Sequence, residues 1–232
     1  MNESLQTAYT GGGSSIALAQ RNRVLRNTYW LLALSLVPTV LGAWIGVSTG
    51  IITRMSPLLS VVLFLGGAFA FMFAIEKTKE SATGVGVLLG FTFFMGLMLS
   101  RLLSAVLGFS NGPTLIMTAF GGTAGVFFAV ASLATVIKRD LSGMAKFLYV
   151  GAAVLLVAGL LNIFWLQSSA LVLTISTIAI GLFSAFMLYD IKRVIDGGET
   201  NYITATLMIY LDLYNIFQSL LSILGIAGGD RD

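Results

Sequence analysis

The chain has 232 residues, of which 57% are hydrophobic and 10% charged. Soluble domains carry about 25% charged residues, so this sequence lacks the polar residues needed to cover a fold in water. It contains no cysteine and no histidine, which excludes disulfide frameworks, Cys/His metal or haem sites and Ser–His or Cys–His catalytic pairs.

Residues 1–22 are polar, include Gly11-Gly12-Gly13-Ser14-Ser15, and read as a flexible tail before a single membrane domain over 23–232. A helix crosses a hydrocarbon core with about 20 apolar residues. The charge-free stretches in chain order are 27–53, 55–75, 81–100, 102–137 and 147–189, followed by 200–229, which Asp212 alone interrupts. The fourth is divided by the turn chemistry of Asn111-Gly112-Pro113, and the fifth, twice a span in length, by the polar cluster from Asn162 to Ser169. The expectation is an all-α integral membrane protein with seven helices near 29–52, 57–76, 83–107, 114–137, 144–166, 169–195 and 202–226. Barrel strands would alternate apolar and polar residues, and these runs do not.

Cations give the orientation. Arg21, Arg23, Arg26, Lys77, Lys79, Lys138, Arg139, Lys146, Lys192 and Arg193 fall on one side, against Arg54, Arg101 and Arg231 on the other. The positive-inside rule places the N-terminus in the cytosol, and seven spans then place the C-terminus outside. Glycines four apart, at Gly42/Gly46/Gly50, Gly86/Gly90 and Gly121/Gly125, predict close helix packing inside one bundle. The net charge of +3 is scattered and offers nucleic acid no surface; the lipid bilayer is the first partner.

With short loops, function is expected among ionisable groups at membrane depth. An acid near the centre of a span costs roughly 2.5–3.5 kcal/mol on insertion scales, so Asp212 must face the bundle or a wet cavity, find a partner, or hold its proton. Asp190 is its natural partner. At 1.5 Å per residue it lies roughly 10 Å from the end of helix 6, which Gly197-Gly198 should cap. Asp212 lies roughly 16 Å along the antiparallel helix 7, so the two carboxyls come level within about one turn. Two carboxylates in contact share a proton and titrate as a unit. Such a pair latches helices 6 and 7 when protonated and drives them apart when both groups are charged. Glu76 and Arg139 are candidates for a cytosolic gate, Asn215 for the path; Asn162 and Asn215 also suit interhelical hydrogen bonding. Arg101 is expected to snorkel to the outer interface.

From Gly197-Gly198-Glu199-Thr200-Asn201-Tyr202, through Ile209-Tyr210-Leu211-Asp212-Leu213-Tyr214-Asn215-Ile216-Phe217, to Ser219-Leu220-Leu221-Ser222-Ile223-Leu224-Gly225, the last segment resembles the signature end of the Bax inhibitor-1 family. Val24-Leu25-Arg26-Asn27-Thr28-Tyr29, Gly121-Gly122-Thr123, Lys138-Arg139-Asp140-Leu141-Ser142 and Leu188-Tyr189-Asp190 fit it as well, in order along nearly the whole chain. The similarity is greatest to the bacterial, YccA-like branch, whose namesake modulates the membrane-anchored FtsH protease. The resemblance implies six helices around a central helix 7, a bacterial inner-membrane location and a pH-sensitive calcium leak. It places Asp190 and Asp212 at the proton-sharing positions.

Three functions compete. In the leading one the protein is a passive calcium leak gated by the Asp190–Asp212 pair. The same carboxylates then serve as a weak calcium site, since calcium takes about 6–8 oxygens in a tight one. No resident cofactor is expected, and calcium enters as the transported ion. The second is a non-conducting regulator that binds an FtsH-type AAA protease, with the N-terminal tail as a handle. The third, an intramembrane aspartyl protease, lacks the Gly-x-Gly-Asp context at Asp212, so no enzymatic activity is expected. A retinal protein would need a lysine in helix 7, and none follows Lys192.

Overall fold

The computed structural model describes residues 3–229, with side chains from Ala19 onward. Seven helices are long and apolar enough to cross a membrane, over Ala19–Thr49, Pro57–Thr78, Ala82–Leu107, Gly112–Val136, Ser142–Leu166, Ser169–Ile195 and Tyr202–Gly228. We number them α1 (Glu3–Thr49), α2 (Pro57–Thr78), α3 (Ala82–Leu107), α4 (Gly112–Val136), α5 (Ala145–Leu161), α6 (Ser169–Ile195) and α7 (Tyr202–Gly228). Helical backbone reaches back to Glu3. A helix already nucleated gains one hydrogen bond for each residue added, which carries it through a glycine run. Arg231, counted above among the outer cations, lies outside the described residues.

Local chemistry sets the ends. Ser56 caps α2 by accepting the Leu59 N–H, and Pro57 follows at the first helical position, where its missing N–H costs nothing. The break between α5 and α6 falls within the polar cluster that predicted it. A π turn spans Asn162–Leu166, and Gln167 takes the left-handed φ of 46°. Asn162 Oδ1 accepts the Ser168 N–H at 2.9 Å, and Ser168 in turn caps Leu171. Asn162 was expected to bond between helices; its amide oxygen instead closes this turn.

The tightest pair is α1 against α3. A Cβ on Gly42 would collide with the Phe93 carbonyl oxygen, and one on Gly96 with that of Thr39. Small residues let backbones touch where lipid supplies no hydrophobic drive. The other glycine pairs behave differently: added Cβ atoms on Gly86, Gly121 and Gly125 would meet open space. Spacing alone does not say which face a small residue occupies.

Helix α7 packs on α6, α4, α1 and α3 and touches α2, which makes it the centre of the bundle. Helix α5, expected in the ring around it, rests mainly on α6. Leu88, Phe91, Met95, Met187, Ile191, Ile209 and Ile216 form the dry interior. Trp30, Trp44, Phe69, Phe128, Phe147 and Trp165 stand exposed on the outside, a surface suited to lipid.

Candidate functional site

The two acids arrive from adjacent helices through a short, capped turn. Helix α6 ends in a Schellman arrangement: Gly198 N–H donates to Arg193 O at 2.8 Å and Gly197 N–H to Val194 O at 3.1 Å. Gly197 takes φ +80°, a conformation that glycine adopts without a Cβ penalty. Helix α7 starts under Asn201, whose Oδ1 accepts the N–H groups of Ile203 and Thr204 at 2.9 and 3.1 Å. The Asn201 amide also donates to Lys79 O at 2.9 Å, tying this turn to the α2–α3 loop.

This hairpin brings Asp190 and Asp212 together inside the bundle, 7% and 4% exposed. Their carboxyls face each other within hydrogen-bonding reach. Asp212 Oδ2 is buried without a hydrogen-bond partner among the described residues. No ion pair neutralises either acid among those residues. Lys192 is held by Asp196 at 2.5 Å, and Arg193 lies 3.7 Å from Glu199 and donates to Gly198 O at 3.3 Å. Arg193 acts on Asp190 only through space, and Tyr149 of α5 lies within electrostatic range of both acids. Two carboxylates have no hydrogen to donate, so a proton held between them supplies the donor that the contact lacks. Among the described residues no cluster of three potential metal ligands forms. The pair alone therefore falls short of the about 6–8 oxygens of a tight calcium site.

The other candidates lie apart from this pair. Glu76 is exposed and accepts from Lys79 at 2.6 Å, a bond that holds the Lys79 ammonium above its usual pKa. Arg139 is exposed in the α4–α5 loop. Beside it, Asp140 accepts from Ser142 N–H at 2.9 Å and Ser142 Oγ at 2.8 Å, which holds that carboxyl below its usual range. The Asn215 amide donates within its own helix to Leu211 O at 2.8 Å. The crossings that the asparagines were expected to make belong to hydroxyls. Tyr210 Oη bonds Thr39 Oγ1 at 2.9 Å, Tyr214 Oη donates to Met95 O at 3.2 Å, and Thr206 Oγ1 to Thr28 O at 3.3 Å.

A second feature escaped the sequence. A partly open cavity of about 670 Å³ lies between α2, α3, α5, α6 and α7, lined mostly by apolar side chains, with Ser60, Arg101, Asn162, Asn215 and Gln218 among its polar groups. Asn215 is three residues of α7 beyond Asp212, about 4.5 Å along the helix axis, so the cavity comes close to the acid pair. Arg101 donates through Nη2 to Ile52 O at 3.3 Å and Met55 O at 2.5 Å, both in the α1–α2 turn. An arginine in a mostly apolar run is the only sequence signal that could have marked this place.

A family profile described as "Inhibitor of apoptosis-promoting Bax1" matches residues 21–229. Among relatives, the "Modulator of FtsH protease YccA" of Escherichia coli K12 is 40% identical over 214 residues, covering 92% of this chain and 94% of that protein. Its counterpart in E. coli O6:H1, with the same identity and coverage, is described as an inner membrane protein. An uncharacterised membrane protein of Vibrio cholerae is 38% identical over 207 residues, 89% of this chain and 91% of its own length.

Proposed function

We propose, for a chain that belongs to the Bax inhibitor-1 family, that it is a proton-sensitive passive calcium leak of the bacterial inner membrane, with its N-terminus in the cytosol and its C-terminus in the periplasm. One observation carries this reading: two acids buried face to face on α6 and α7, with no paired cation among the described residues. With one proton between them the helices stay latched. Losing that proton leaves two like charges in a medium that screens poorly, and their repulsion loosens α6 from α7. The freed carboxylates then offer oxygen to a hard divalent cation, weakly enough for it to pass on.

Calcium flux into proteoliposomes tests it. Wild-type flux should rise from mildly acidic to mildly alkaline pH, and Asp212→Asn should remove that dependence. The same pH-dependent flux in the variant would reject the role given to the pair.

A second reading rests on kinship with YccA, named as a modulator of FtsH protease. In it the protein binds an FtsH-type protease and tunes degradation, and α6–α7 packing reports pH to the partner. Co-purification with such a protease, together with vesicles that conduct nothing, would favour this reading over the leak.

A further inference from the structure

We infer that the cavity between α2 and α5 is a seat for an anionic membrane lipid, its acyl chain along the apolar walls and its phosphate on Arg101. The inference rests on the cavity and not on the acid pair, so the two readings fail separately.

The walls come first. A volume of about 670 Å³ lies within the about 300–1,000 Å³ typical of small-molecule sites. Leu65, Leu156 and Phe183 are among the apolar residues lining it. Helix packing does not close the gap between its two outer helices, because α2 rests on α3 and α5 on α6. A cavity open sideways at membrane depth admits an acyl chain directly from the bilayer.

The polar groups then select the headgroup. Pro57, Arg101 and Asn162 all lie near the turns joining α1 to α2, α3 to α4 and α5 to α6, which share one membrane face. The cavity therefore opens at headgroup depth there. Arg101 has no carboxylate partner among the described residues, and its two hydrogen bonds, to Ile52 O and Met55 O, both come from Nη2. Nε and Nη1 remain as donors in a fixed fork suited to phosphate. Ser60 Oγ, on the same wall and one turn into α2, is buried without a hydrogen-bond partner among the described residues. A guanidinium without a counter-ion repels a divalent cation and attracts an anion, while the apolar walls disfavour a fully hydrated one. An amphiphile with one phosphate satisfies both.

Native mass spectrometry of the full chain in detergent, titrated with dioleoylphosphatidylglycerol or dioleoylphosphatidylcholine, tests the assignment. The wild type should retain phosphatidylglycerol in preference. Arg101→Gln should cut that preference about fivefold, the factor for one cation at about 1 kcal/mol, and Arg101→Lys should keep most of it. Because Arg101 also braces the α1–α2 turn, Gly159→Phe serves as an independent variant. A Cβ there meets nothing within 4 Å, and a ring at this lining position would obstruct the cavity with Arg101 untouched. It should weaken retention of both lipids. Equal binding of both lipids by the wild type, an unchanged preference in Arg101→Gln, full retention in Gly159→Phe, or complete displacement by inorganic phosphate would each overturn the proposal.

Discussion

Asp212 is the residue on which local stability and proposed activity disagree. Among the described residues its Oδ2 is buried with no partner, beside a second acid and without an ion pair, an arrangement that a fold selected only for stability would avoid. Replacing a buried ionisable pair by apolar residues of similar volume is often neutral or stabilising by about 1–4 kcal/mol. The double variant Asp190→Leu/Asp212→Leu is therefore expected to keep or raise the thermal midpoint in detergent while abolishing the pH response. A marked fall in that midpoint would mean that the two acids are a structural strut. The acid pair was legible in the sequence because a charge in an apolar run is conspicuous and a Gly-Gly cap sets the level of the returning helix. Arg101 was visible as a charge but not as part of a cavity wall, since its carbonyl partners lie 46 and 49 residues away. The hydroxyls of Tyr210, Tyr214 and Thr206 gave no warning either. Such groups are common in apolar helices, and only the crossing geometry decides which of them bond to a neighbour.

At the level of elements, the α1–α3 contact holds the bundle together by backbone proximity. Gly96→Leu would drive a side chain into the Thr39 carbonyl, and overpacking of this kind costs about 1–3 kcal/mol. Gly121→Leu, on an open face of α4, should change stability by less than about 0.5 kcal/mol. Thermal denaturation of the two variants side by side checks this, and equal losses would contradict the packing described. Helix count and breaks followed from charge-free lengths and turn residues, including the interruption at Asn162. The displacement of α5 onto α6 did not, because every span is apolar enough to face either lipid or protein, and hydropathy does not rank the two.

Across the whole molecule, a central α7 is bound to α1 and α3 by hydroxyl bonds and meets α6 across a pair of acids; in the proposed function only this second contact depends on a proton. The family places this architecture beside a protease modulator, and both proposed readings draw on the same α6–α7 contact. The most direct measurement is amide hydrogen exchange over residues 188–216 in membranes, corrected for intrinsic rates, at mildly acidic and mildly alkaline pH. Wild-type protection should fall as pH rises, and in Asp212→Asn it should stay constant. An identical pH-dependent loss of protection in that variant would contradict the account.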